Sequence, residues 1–252
     1  MLQTLVIVCP LIFIAAFVDA VAGGGGLISL PAYLLAGLPP HNAMATNKVA
    51  SPIGSLAATI GYLAKGKMNI LIGVAAAAGA LAGAAGGSSL VLYMSEKLLQ
   101  TMILAALPVV AVFIFTQKNL GADDSIPKEY PLWKKVLYAA IIGVILGFYD
   151  GMVGPGTGTF MLIAFAKVFH LDLVTSSGCA KLANLASNLA SAVIFILAGK
   201  VFWMVAIPAA VCSMAGGYAG SVYAVRGGSK NVRKVIFVVI GLLFVKFIVE
   251  LL

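Results

Sequence analysis

Apolar runs fill nearly the whole chain except residues 117 to 135, and this constrains its fold more than any other feature. A hydrocarbon core of ~30 Å takes about 20 apolar residues per helix. With 62% hydrophobic and 10% charged residues and a mean hydropathy of +1.10, the chain has far fewer charges than a soluble domain, where about a quarter of residues are charged. The expectation is an all-α polytopic membrane protein. The first residues, MLQTLVIVCPLIFIAAF, have no basic start and no small-residue cleavage pattern, so they are read as the first membrane segment.

The chain is also duplicated. Lys48 and Lys181 lie inside two apolar stretches, and the offset between them also joins Lys67 to Lys200 and Lys97 to Lys230. Gly83 with Gly216, Gly87 with Gly220 and Ser88 with Ser221 follow it too. Small residues coincide easily in such a composition, but lysines are scarce, so the three lysine pairs carry most of the weight. We divide the chain into a first transmembrane repeat (1–116), a cytoplasmic linker (117–135) and a second repeat (136–252).

Each half reads as the same series. An apolar segment carrying one aspartate (2–22, 136–153) meets a glycine-rich break, Gly23 to Gly26 in one half and Gly154-Pro155-Gly156-Thr157-Gly158 in the other. A short apolar piece follows (27–38, 159–170), about 18 Å long as a helix and too short to span. Full-length spans are expected at 43–64, 69–93, 98–116, 174–198, 201–225 and 232–251. Interrupted segments at matching places in two halves point to a transporter's binding site, because lipid cannot satisfy unwound backbone. Close packing through small residues explains Gly83, Gly87, Gly216 and Gly220 well, but explains four consecutive glycines poorly.

Loop charge alternates between the halves. Lys65 and Lys67 face a counterpart with only Lys200, whereas the neutral pair Glu96-Lys97 faces Arg226, Lys230, Arg233 and Lys234. Under the positive-inside rule, equivalent loops lie on opposite faces. The repeat is therefore expected to be inverted, with both termini outside and an odd number of crossings per half if each broken segment and its short partner enter and leave on one side. The net charge of +8 is dispersed among helix ends, so it signals topology and not nucleic-acid binding.

Two intramembrane cations at equivalent places suggest an anion site. Lys48 and Lys181 lie about two turns inside their helices, too far in to snorkel easily, so each needs a partner or a wet cavity. Thr46, Asn47 and Ser51 accompany the first lysine. Asn184 and Asn188 share a helix face with the second. Gly25, Gly26, Gly156, Thr157 and Gly158 would add backbone N–H groups and a hydroxyl at helix starts, where an anion can be held without a metal or cofactor. Asp19 and Asp150 precede the breaks, at an offset slightly shorter than that of the lysines. Two readings of them stay open: proton carriers in a transport cycle, or permanent partners of the lysines and caps of the unwound backbone.

Enzymatic signatures are absent from the sequence: there is no Gly-x-Ser-x-Gly, no His-Glu-x-x-His, and the glycine-rich string lacks the Gly-Lys-Ser/Thr ending of a nucleotide loop. Cys9, Cys179 and Cys212 lie in apolar stretches without metal-site spacing and are read as packing residues. His41 and His170, at loop ends, are read as ordinary polar residues.

The segments FVDAVAGGGGLISLPAYLLAGLPPHNAMATNKVAS and GFYDGMVGPGTGTFMLIAFAKVFHLDLVTSSGCAKLANLASNLAS together resemble the TauE/SafE family of sulfite and organosulfonate exporters. The glycine run before Thr-Asn-Lys, and Asp-Gly-x-x-Gly-Pro-Gly-Thr-Gly before Ala-Lys-Leu-x-Asn, carry the likeness. It implies a multipass inner-membrane permease for a small sulfur oxyanion or organosulfonate such as sulfoacetate. The partners expected are that anion and the lipid bilayer; the sequence leaves oligomeric state open, a homodimer included. A passive anion channel and a proton-coupled uptake permease are the rival readings.

Overall fold

The computed structural model describes residues 2–116 and 130–251, so most of the expected linker lies outside the described residues. The chain is helical, and no strand occurs among the described residues. In order the helices are α1 (Leu2–Ala22), α2 (Gly26–Leu35), α3 (Pro40–Ala64), α4 (Ile70–Val91), α5 (Glu96–Thr116), α6 (Leu132–Met152), α7 (Thr157–Phe169), α8 (Leu173–Leu197) and α9 (Trp203–Leu251). Five contain stretches long and apolar enough to cross a membrane: α1, α4, α6, α8 and α9. The polytopic expectation holds.

Local chemistry sets the boundaries. Asp172 caps α8, its Oδ1 accepting from Val174 N at 2.9 Å and Thr175 N at 3.0 Å. Asn69 does the same for α4, accepting from Ile72 N at 3.1 Å. Pro39 and Pro40 start α3, where a missing N–H costs nothing. The short helices α2 and α7, of 10 and 13 residues, follow the two glycine breaks as expected. The spans expected at 201–225 and 232–251 are not separated by a loop. They meet directly at a kink within α9, where Gly228, at φ 61° and ψ −159°, leaves helical geometry and separates two helices.

Outward faces carry large apolar side chains such as Val74, Ile145 and Ile207, each more than half exposed, as a lipid solvent permits. Inward faces carry alanine, glycine and serine. Helix α4 packs on α6, and α1 on α9; α3 also packs on α9, and α4 on α8. These contacts come in exchanged pairs. Gly83 lies against the backbone of Val144 and Gly216 against that of Phe13; Gly87 meets Phe148 and Gly220 meets Phe17. Each second contact is the first with the halves swapped, since Phe13 and Phe17 stand to Val144 and Phe148 as Asp19 stands to Asp150 along the chain.

Serine contacts add to this packing unequally. Ser88 Oγ donates to Ser191 Oγ at 2.7 Å and lies 3.2 Å from Gly151 O, bridging the halves. Among the described residues, its counterpart Ser221 donates to Tyr218 O on its own helix. Ser88→Ala is therefore expected to lower thermal stability by about 0.5–1.5 kcal/mol, the usual range for such bonds. Ser221→Ala should cost less. Melting curves of the two variants in one detergent check the order.

Candidate functional site

Lys48 and Lys181 occupy the same depth in α3 and α8, with side chains only 2% and 1% exposed. Both are ion-paired, and the pairing is crossed. Lys48 Nζ lies 2.7 Å from Asp150 Oδ2 and Lys181 Nζ lies 2.7 Å from Asp19 Oδ2, so each lysine takes the carboxylate of the other half. Asp150 Oδ2 accepts a second bond, from Ser187 Oγ at 2.6 Å. Asp19 uses its other oxygen to accept from Gly25 N at 3.2 Å, in the first glycine break.

These four groups line one cavity of about 40 Å³ between the halves. That is room for roughly three waters or one small oxyanion of similar bulk. Asn47, Ser51, Asn184 and Asn188 line it, as do Gly25, Gly26 and Gly158. The structure thus brings most of the sequence-derived residues together.

Hydrogen bonding fixes which way the amides point. Asn188 Nδ2 donates to the Asn184 carbonyl at 2.8 Å, and also to Asn184 Oδ1 at 3.0 Å. With its oxygen thus engaged, and accepting from Ser55 Oγ at 3.2 Å as well, Asn184 keeps its Nδ2 as a donor with no described protein partner. Asn47 is oriented likewise: its Oδ1 accepts from Ser51 Oγ at 3.1 Å. Two amide donors and two ammonium groups around one cavity suit an acceptor-rich ligand.

Three expected residues do not line the cavity. Thr46 Oγ1 accepts from Phe202 N at 3.1 Å, at the entry to α9. Thr157 Oγ1 donates to Gly154 O at 2.8 Å, holding the second break together. Gly156 is the residue before α7, in a left-handed conformation against Val110. The second break spends these groups on its own backbone, which in lipid has no other partner. The two breaks also bond to each other, Thr159 N donating to Gly23 O at 3.1 Å and Thr159 Oγ1 to Ala22 O at 2.8 Å.

Sequence reasoning missed Ser55, Ser29 and Ser213, which line the cavity. Ser55 had a signal, since the offset that joins the lysines also joins Ser55 to Asn188 and Ser51 to Asn184. Ser213 had none; its counterpart is Ala80, and only the packing of α9 on α3 brings it in. His41 is more engaged than expected, buried with Nδ1 2.7 Å from Glu96 Oε1 and Nε2 3.0 Å from Val91 O. It ties the start of α3 to the α4–α5 turn, away from the cavity.

Residues 8–247 match the family described as Sulfite exporter TauE/SafE. A probable membrane transporter protein of Haemophilus influenzae is 34% identical over 248 residues, covering 94% of this chain and 92% of its own length. The probable membrane transporter YfcA of Escherichia coli K12 is 32% identical over 94% of this chain and 87% of its own. The probable membrane transporter ORF9 of a Sinorhizobium species is 31% identical over 90% and 85%. No solved structure matches the chain. With a family match over nearly its whole length, relatives above 30% identity, a helical fold of membrane length and a buried polar cavity, the chain belongs to the TauE/SafE family of membrane transporters.

Proposed function

We propose that this transporter carries a small sulfur-containing anion, sulfite or an organosulfonate such as sulfoacetate, by alternating access between two inverted repeats in the inner membrane. The observation that carries the reading is the set of lysine and amide donors around the cavity between the halves. Rocking of one half against the other would expose that cavity to each side in turn. Exchanged contacts and crossed ion pairs support two equivalent halves, and alternating loop charge supports their inversion. The family description favours export. An anion leaving the cytoplasm already gains ~2.3 kcal/mol per charge per 100 mV of inside-negative potential, so export needs no proton.

One observation favours proton-coupled carriage as a second reading. The charged groups among the described lining residues, Lys48, Lys181, Asp19 and Asp150, sum to zero, so an entering anion leaves an uncompensated charge unless an aspartate is protonated.

Purified protein is expected to bind sulfite, thiosulfate or sulfoacetate in preference to carboxylates and taurine, by calorimetry. A preference for a carboxylate or a cation would sink the substrate assignment. Lys67→Cys and Lys200→Cys, each made in a chain freed of its own cysteines, are expected to react with a membrane-impermeant maleimide from opposite faces, since both positions are exposed. Labelling from one face rules out inversion.

A further inference from the structure

The geometry points to a division of labour between the two ion pairs: the anion opens Asp19–Lys181 by displacing the Asp19 carboxylate, while Asp150–Lys48 stays closed as an anchor between the halves. This rests on the anion-transport reading above and assigns its two lysines different roles.

The pairs are related by the duplication but not equally held. The Asp150 side chain is 4% exposed, and one of its oxygens takes both the Lys48 ammonium at 2.7 Å and the Ser187 hydroxyl at 2.6 Å. The Asp19 side chain is 19% exposed, toward the cavity it lines, and its second contact is a long 3.2 Å bond from Gly25 N. The sequence carries the reason. The counterpart of Ser187 in the first half, by the lysine offset, is Gly54, which has no side chain to give Asp19 the matching bond. A β-carbon at Gly54 would run into Ser213, so the packing of α9 keeps α3 from offering a donor at that place.

Asp19 therefore occupies the place of a ligand. Its carboxylate gathers the Lys181 ammonium and the Gly25 N–H, two donors that an incoming sulfonate oxygen would use equally well. Asn184 Nδ2 stands one turn beyond Lys181 on α8 as a third donor. The Asp19 carboxylate competes with the substrate for these groups, and neutralising it should tighten binding. The other titratable groups around it are Lys181 on α8, Lys48 and Tyr62 on α3, and Asp150 on α6; Tyr62 donates to Ala20 O at 2.8 Å. Helix α9 contributes Ser213 and the start of α2 the Gly25 amide, neither of which titrates.

Methanesulfonate, a monoanion at every working pH, is the probe, measured by calorimetry on full-length protein in nanodiscs. Asp19→Asn should bind it about tenfold more tightly than the wild type, equivalent to ~1.4 kcal/mol. Asp150→Asn should gain no affinity. Since D150N loses a buried partner and risks misfolding, a ligand-free readout on the unaltered protein stands beside it: a hydrophobic carbodiimide, located by peptide mass spectrometry, should modify Asp19 well ahead of Asp150. Equal or preferential modification of Asp150, or tighter binding by D150N, overturns the proposal. Preferential modification of Asp19 with no sulfur anion bound by any variant upholds the unequal pairs and rejects the transport reading instead.

Discussion

Lys48→Gln is expected to destabilise the protein by about 3–5 kcal/mol, because it strands Asp150 in the protein interior without its partner. Ser187 alone cannot neutralise that carboxylate. The double variant Lys48→Gln/Asp150→Asn should recover most of the loss, since two neutral polar groups replace an unpaired charge. Lys181→Gln strands the less buried Asp19 and should cost less. Thermal melts of the four proteins, with the monodisperse fraction after extraction, decide the matter. If Lys48→Gln melts like the wild type, the crossed pair does not hold the halves together, and if the double variant is no better than the single one, the stranded charge is not the cause.

Gly23→Ala should be equally damaging for a different reason. Gly23 sits at φ 79°, and a β-carbon there would overlap the Gly158 carbonyl carbon and the Thr159 nitrogen. Both are backbone atoms of the second break, so relief requires moving α7 away from α1 and losing the 3.1 Å bond from Thr159 N to Gly23 O. Gly66, at φ 63° with open space around it, serves as the control. Gly66→Ala suffers only the left-handed backbone penalty, about 1–2 kcal/mol. Folded yield and melting temperature should fall far more for position 23 than for position 66; equal losses would show that the meeting of the two breaks contributes nothing.

Much of the architecture is legible in the sequence because its causes are local or periodic. Continuous apolar sequence dictates membrane helices, and glycine runs mark where helix must stop, since four glycines cannot repay their backbone entropy. A fixed offset between scarce lysines relates Lys48 to Lys181, and the same offset applied to the polar residues of α8 adds Ser55 to the site. Polar residues spaced three and four apart on α8 identify the face that meets the cavity. Proximity along the chain points to Thr46, Gly156 and Thr157, but it does not say where a hydroxyl or a backbone segment spends its hydrogen bonds.

Helicity, membrane embedding and the presence of two lysines deep within apolar helices all follow from the order of residues alone. How those charges are settled does not. Asp19 and Asp150, one before each glycine break, are both available to either lysine, and nothing in the pattern of residues prefers one pairing. Packing α1 on α9 and α6 on α4 crosses the pairs between halves. The inequality of the pairs has the same origin. Gly54 and Ser187 are two small residues among many, and their difference acquires meaning only in the folded core around the two buried carboxylates, because a hydrogen bond depends on position within an ångström and not on place in the chain.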